Sequence, residues 1–429
     1  MKNQPTLSKK ITLAVSTLAI VATISNLAAA DDDVRKLTAG ERTVLSEGSA
    51  WGVITSLNDG SLGLTYQLAT PIPGTDTVHV MMLWVRSTDG GRTWIEPTVV
   101  ADRRGPDGKT FIRRPDGGMI VPEQRNQALG QLPSGRIVCA MGELDYHCDK
   151  DGKSEQKNHY GSTFEYARVS YTYSDDLGKT WAPLKELPIG PFGGKHRFKP
   201  YIFASPHWQI VTLSDGTALM TLYGSKDPDY DGDLVPEDTT YLAGVIRSTD
   251  NGETWGDIST IFTKNHGGTY EETALCLLPE DRLLAHMRTP SHNLVQFVSE
   301  DGGRCWTKTG DLTHGRQHPG GAFVLQSGRV MATWGNRQSP FGAGAMLSED
   351  GGKTWDYDHW VSLAWDAENQ NCGYANGAQA GDGSIVVTYY EMDPTANDHV
   401  GLWGGSKVYT IRFTEEQFLE AAGGEPTDD

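Results

Sequence analysis

The feature that most constrains this chain is an octet of the form Ser-x-Asp-x-Gly-x-Thr-Trp that occurs five times. It stands as Ser87 to Trp94, Ser174 to Trp181, Ser248 to Trp255, Ser299 to Trp306 and Ser348 to Trp355, with Cys305 in place of the threonine in the fourth copy. An octet that recurs once per supersecondary unit marks a repeat architecture, in which neighbouring units bury a core that none could bury alone. Each copy follows a strand-like apolar run, such as Val80 to Val85 or Leu242 to Ile246, so each is expected at a hairpin tip. Ser and Asp bond the turn backbone, Gly supplies a positive φ, and Trp covers the adjoining core. These turns are scaffold; they say where to look for chemistry without supplying it.

A looser repeat lies ahead of each octet: an apolar strand, a turn built on Asp-Gly or Ser-Gly, and a second apolar strand. It opens units at Ile54 to Leu62, Ala128 to Val138, Ile210 to Ala218, Leu275 to Leu284, Phe323 to Val330 and Ala378 to Val387. Six openings against five octets leave a last unit that runs into Val408 to Phe413 without one. Radial repetition of four-stranded blades manages the sheet edges and lines a central axis with one strand of each blade. The expected fold is all-β, a six-bladed β-propeller with five octet turns, and separate β-sandwiches are the less economical alternative. Helix is expected only at Glu415 to Ala422, and long insertions at Asp145 to Phe164 and Gly224 to Thr240 point to one binding face.

Residues 1–30 read as a secretory signal: Lys9-Lys10, an apolar run from Ile11 to Leu27, and Ala28-Ala29-Ala30 ahead of Asp31. An uncleaved anchor is the alternative; the small-residue pattern favours removal, which leaves residues 31–429 as a single exported domain without stable membrane insertion. The formal charge of −18 argues against nucleic acid or an acidic membrane surface as partner, so an anionic substrate would need a local arginine cluster. Cys139 and Cys148 are close enough in sequence to bridge, while Cys276, Cys305 and Cys372 read as small buried hydrophobes. No cofactor is expected. Asp227, Asp229 and Asp231 have the spacing of a calcium loop, with Asp238 at the final position, but Pro228 and the non-helical flanks suit a solvated acidic loop better.

The octets resemble the Asp-box, or BNR, repeat of the sialidase (neuraminidase) superfamily, and the likeness covers nearly the whole chain after residue 30. The repeat also occurs in noncatalytic propellers, so activity has to be argued from the site. Tyr270 to Leu275 and Leu283 to Arg288 look like the sialidase stretch with a Glu on an inner strand and an Arg across one hairpin; these would be Glu272 and Arg288. Gly373 to Asn376, followed by Tyr389-Tyr390-Glu391, is similar to the segment carrying the nucleophilic tyrosine, which would be Tyr374. A sialic acid bears a carboxylate on its anomeric carbon, so a neutral phenol meets less repulsion there than a carboxylate nucleophile would. The resemblance implies Glu272 as base for Tyr374 and Asp76 as general acid, with Arg288 and Arg337 in an arginine clamp for the substrate carboxylate.

The chain departs from the family at its first unit. Ala50-Trp51-Gly52-Val53-Ile54 stands where sialidases carry the first clamp arginine. Arg125, at the start of the second unit, is the candidate to reach the axis instead, with Arg316 and Arg197 behind it; this is an inference from position, not from the family. The reading is an exported sialidase-like exo-glycosidase acting on a glycan or acidic saccharide. The alternatives are a noncatalytic glycan-binding propeller and a hydrolase or lyase of another uronic-acid-containing polysaccharide.

Overall fold

The computed structural model describes residues 34–75, 77–104, 108–153, 164–193, 204–227, 241–261, 270–392 and 403–423. Among these, strand dominates, in successive antiparallel meanders. The opening unit consists of Ser49–Ser56, Leu62–Pro71, Val78–Ser87 and Thr98–Ala101. The second is led by Met119–Gln131 and continues through Ile137–Cys148, Phe164–Ser174 and Lys185–Glu186. The third and fourth are led by Ala204–Thr212 and Glu271–Leu277, the fifth by Gln317–Val324, and the closing unit by Cys372–Gln379.

The closing unit contributes three strands of its own, Cys372–Gln379, Ile385–Glu391 and Lys407–Phe413. Its fourth is Glu41–Glu47, from the other end of the described chain, paired antiparallel to Lys407–Phe413. The leading strand of each unit lies against that of the next, and Ser49–Ser56 lies against Cys372–Gln379. The core sits between adjacent sheets: Leu62, Leu64 and Val80 of the opening unit pack on Val386, Tyr390 and Val408 of the closing one. The expected helix spans Glu415–Ala422, held by a capping box between Thr414 and Gln417 and ended by Gly423 at φ 79°.

The octets make the turns expected of them. In the first, the Ser87 hydroxyl donates to Asp89 Oδ1 at 2.8 Å and accepts from Gly91 N at 2.8 Å, while Thr93 N and Oγ1 donate to the two Asp89 oxygens at 2.9 and 2.6 Å. The same set returns around Asp176, Asp250 and Asp350. Gly178, at φ 84°, shows why the octet needs its glycine: a Cβ there would lie 2.0 Å from Trp84 Nε1 in the preceding unit. At Asp301 the backbone bond from Cys305 N survives at 2.8 Å, but the threonine hydroxyl is missing.

Three sequence expectations are corrected. Cys305 is exposed at its turn, not a buried hydrophobe. Cys139 and Cys148 are both free and buried in the strand Ile137–Cys148, whose extended rise per residue holds them too far apart to bridge. The segment from Asp145 to Cys148 continues that strand, so the loop expected from Asp145 begins later. Most of the two expected insertions, and residues 1–33, lie outside the described residues.

One local feature positions the site. Every leading strand breaks register, near its start in most units and midway along Met119–Gln131 in the second: between Ala50 and Val53, Arg125 and Gln127, His207 and Ile210, Glu271 and Ala274, Gln317 and Gly320, and Gly373 and Asn376. At five of these bulges a non-glycine residue sits in the left-handed region: Trp51, Asn126, Trp208, Glu272 and Tyr374. A bulge bends the strand and re-aims the side chain it carries, at a local conformational cost that the surrounding sheet must hold.

Candidate active site

Glu272 and Tyr374 occupy equivalent bulges on the leading strands of the fourth and closing units, with φ of 46° and 55°. The Tyr374 hydroxyl donates to Glu272 Oε1, and Arg288 Nη1 donates to Glu272 Oε2 at 2.9 Å. Arg288 ends the neighbouring strand, Leu283–Arg288, where it pairs in register with Glu271. Close backbone approach makes this convergence feasible: a Cβ on Gly373 would lie 2.5 Å from Gly335 Cα, and one on Gly335 would lie 3.1 Å from Tyr374 N.

The electrostatics of the trio follow from burial and charge. Burial acts to raise the Glu272 pKa, but the Arg288 charge, helped by His207 and the hydrogen bonds from Tyr374 and Arg288, outweighs it and holds the carboxyl at about 2. Burial, and then the Glu272 charge, push the Tyr374 phenol well above its usual range. The resting state is therefore an ionised Glu272 accepting from a neutral phenol.

Arg337 follows the strand Val330–Asn336 and lies beside the tyrosine, its guanidinium carbon 5.4 Å from the Tyr374 ring centre. Its Nε donates to Cys372 O at 3.0 Å and its Nη2 to the Tyr390 hydroxyl at 3.3 Å. Arg316 adjoins it, accepting from Arg337 N at 2.8 Å through its carbonyl, and its exposed side chain donates to Gln370 Oε1. Arg125 stands one layer back. Its guanidinium lies 5.2 Å from the Trp51 ring, 5.7 Å from those of Tyr146 and Trp403, donates to the Tyr146 hydroxyl at 3.1 Å, and comes within 3.4 Å of Glu123. Burial, only partly offset by Arg125, raises Glu123 to about 8.

Trp51 meets Tyr374 edge-on at 6.3 Å, so the bulge that carries the first arginine in the resemblance here presents an indole. Asp76, Arg197, Asp229 and Asp231 lie outside the described residues; Asp227 is described, its N–H donating to Pro191 O at 2.9 Å. Among the described residues, no group of three or more His, Cys, Asp or Glu side chains is arranged to hold a metal ion.

Two histidines were not singled out from the sequence. His207 is buried, stacks on Trp208 at 4.6 Å and lies 6.1 Å from the Tyr374 ring. His318 is 3% exposed and feels Arg288, Arg337 and Glu272. Burial lowers His207 to about 3, and burial with the two arginines lowers His318 to about 2, so both imidazoles are neutral. Aligning the starts of the leading strands, rather than the octets alone, would have pointed to them.

The sheets and this cluster define an all-β, propeller-like protein of the sialidase superfamily. The chain belongs to the BNR repeat-like domain family, which matches residues 146–387. It is 25% identical over 266 residues to a sialidase of Paraclostridium sordellii, covering 60% of this chain and 57% of that protein. It is 23% identical over 281 residues to an anhydrosialidase of Macrobdella decora, covering 57% of this chain and 32% of that protein. The chain thus spans less than two thirds of the length of these curated relatives. Among solved structures, the intramolecular trans-sialidase from Ruminococcus gnavus superposes with a TM-score of 0.60 at 15% identity, over 89% of this chain and 98% of that one. The NanB sialidase from Streptococcus pneumoniae superposes with a TM-score of 0.60 at 13% identity, over 86% and 68%. At such identities the structural likeness is one of fold.

Proposed function

We propose that this protein is a sialidase-type exo-glycoside hydrolase that releases terminal sialic acid or a related acidic sugar from glycans, built on a β-propeller of six blades. The blade count is supported by the succession of meanders, by the contact of the opening and closing leading strands, and by the strand Glu41–Glu47 that completes the last sheet. The observation that carries the activity is the hydrogen bond from Tyr374 to a Glu272 already paired with Arg288.

In this reading the Tyr374 oxygen attacks the anomeric carbon while its proton passes to Glu272, and Asp76 protonates the departing glycosidic oxygen. Water then cleaves the tyrosyl–sugar bond by the reverse sequence. Arg288 and Arg337 receive the substrate carboxylate, with Arg125 acting from behind Trp51. A carboxylate that competes for Arg288 loosens its hold on Glu272, and Glu272 becomes more basic as the substrate arrives. Residues 1–30 direct export and are removed.

The test is release of 4-methylumbelliferone from its sialic acid glycoside by the purified protein, beside Tyr374→Phe and Glu272→Gln. Loss of about 10³-fold or more in kcat for Tyr374→Phe, the scale of removing a nucleophile, is the expected result. An inactive wild type would sink the reading. A second reading, a hydrolase or lyase of another uronic-acid-containing polysaccharide, is favoured by Trp51 standing at the first-arginine position, since a carboxylate held by fewer cations is recognised less strictly. Turnover of uronic-acid glycosides in preference to sialosides would select it.

A further inference from the structure

Strand register gives His318 the same place in the fifth unit that Glu272 and Tyr374 hold in their own. Each is the first residue passed over at its register break: Glu272 after the pair Glu271 and Arg288, His318 after Gln317 and Asn336, Tyr374 after Gly373 and Tyr390. The leading strand of the fifth unit lies against both of the others. The backbones meet closely there: a Cβ on Gly335 would lie 3.0 Å from His318 O and 3.1 Å from Tyr374 N. The His318 ring feels the charges of Arg288, Arg337 and Glu272, and it stacks on His292 at 5.2 Å. His292 in turn lies in the field of Arg288, Arg316 and Arg337.

The imidazole is buried, and among the described residues it makes no hydrogen bond. Nδ1 is fully enclosed without a partner, so Nε2 is the nitrogen that keeps contact with solvent. Burial and the two arginines hold the ring neutral, with one proton to place. An N–H enclosed without an acceptor is costly, which puts that proton on Nε2. Glu272, the carboxylate in this field, accepts from Tyr374 and Arg288 instead.

We propose that His318 is a substrate-contacting residue whose Nε2 donates to the carboxylate that Arg288 and Arg337 receive; the proposal rests on the glycosidase reading. An acceptor drawn to this place by two guanidinium groups is an anion, and a hydrogen bond to an anion is roughly twice as strong as one between neutral groups. With Trp51 in the opening unit where the resemblance has an arginine, His318 supplies a further donor from the fifth unit. It adds a directed bond without adding charge.

Calorimetric titration of the purified protein with sialic acid and with its methyl ester tests this, because only the acid offers an anionic oxygen. His318→Leu is expected to weaken the acid about tenfold and to leave the ester unchanged. His318→Gln, whose side-chain amide carries an N–H near the place of Nε2, is expected to recover most of the loss and shows that the site still folds. In turnover of 4-methylumbelliferyl sialoside the Leu variant should raise KM with kcat little changed, as for a contact kept from bound substrate to transition state. Equal loss on acid and ester, no loss on either, or a wild type that binds neither overturns the contact. Sialic acid held through His318 by a protein that releases no 4-methylumbelliferone would keep the contact and remove the glycosidase reading. Turnover with a KM indifferent to His318→Leu would do the reverse.

Discussion

At the residue scale, the proposed activity links charge to reactivity through the Arg288–Glu272–Tyr374 chain. Glu272 at about 2 is ionised throughout the working pH range of the free protein, so it sets no acid limb in kcat/KM. Once a substrate carboxylate shares Arg288, the Glu272 pKa rises, so an acid limb from Glu272 should enter kcat while none enters kcat/KM. Arg288→Gln removes the charge that opposes burial. Glu272 should then titrate above the ordinary glutamate value of about 4.3, and an acid limb should enter the kcat/KM profile. A profile whose shape stays that of wild type, merely scaled down, would show that Arg288 does not control Glu272. Removing one partner of so buried a pair should also cost about 3–5 kcal/mol of stability, which chemical denaturation would register.

At the scale of the element, the octet turn is a small hydrogen-bonded device that the sequence repeats and once leaves incomplete. Cys305→Thr restores the hydroxyl that donates to aspartate in the other copies and should stabilise the protein by about 0.5–1 kcal/mol, read as a raised denaturation midpoint. The turn aspartates also set an acid limit. At Asp89 and Asp350 burial opposes, yet the hydrogen bonds from the turn hold the carboxyl at about 2, and at Asp176 the Thr180 bonds lead to the same value. Their folded pKa lies below the unfolded value of about 3.9. The stability they contribute is fully present above that pH and is lost as pH falls through about 2. A pH titration of Tm should show this fall, shallower in Asp176→Asn. An unchanged slope would mean that the turns carry none of it.

For the molecule as a whole, closure depends on a strand supplied from far away in sequence. Glu41–Glu47 covers the edge of Lys407–Phe413 and is tied further by Arg42, which bonds Asp366 and lies 5.1 Å from the Tyr409 ring. Deleting residues 34–47 uncovers a row of unpaired backbone groups, a template for pairing between chains. The truncated protein should melt earlier and elute as concentration-dependent oligomers in size-exclusion chromatography. A monomer of unchanged Tm would show that the closing sheet holds without its borrowed strand.

Local chemistry was legible from the residues because it is periodic or self-contained. The octet turns depend on groups within eight positions of one another, and the helix at Glu415–Ala422 carries its own cap, so both could be read directly. Glu272, Arg288 and Tyr374 were singled out because two segments resemble those of the sialidase superfamily, and the ion pair between Glu272 and Arg288 appears only in the fold. What no linear reading contained was the set of bulges in the leading strands, since a register break is decided by the partner strand and not by the residue that occupies it. That set brings Trp51 edge-on to Tyr374 and gathers His207 and His318 about the pair, while Arg125 stands behind Trp51. The strand Glu41–Glu47 was hidden for the same reason: its partner lies more than 350 residues away, and only folding makes them neighbours. The sequence by itself determined the repeating turns and the identities of Glu272, Arg288 and Tyr374. The tertiary structure alone decided which side chains face one another across the units, because that depends on strand register and on backbones close enough, as at Gly335 and Gly373, to bring distant strands into contact.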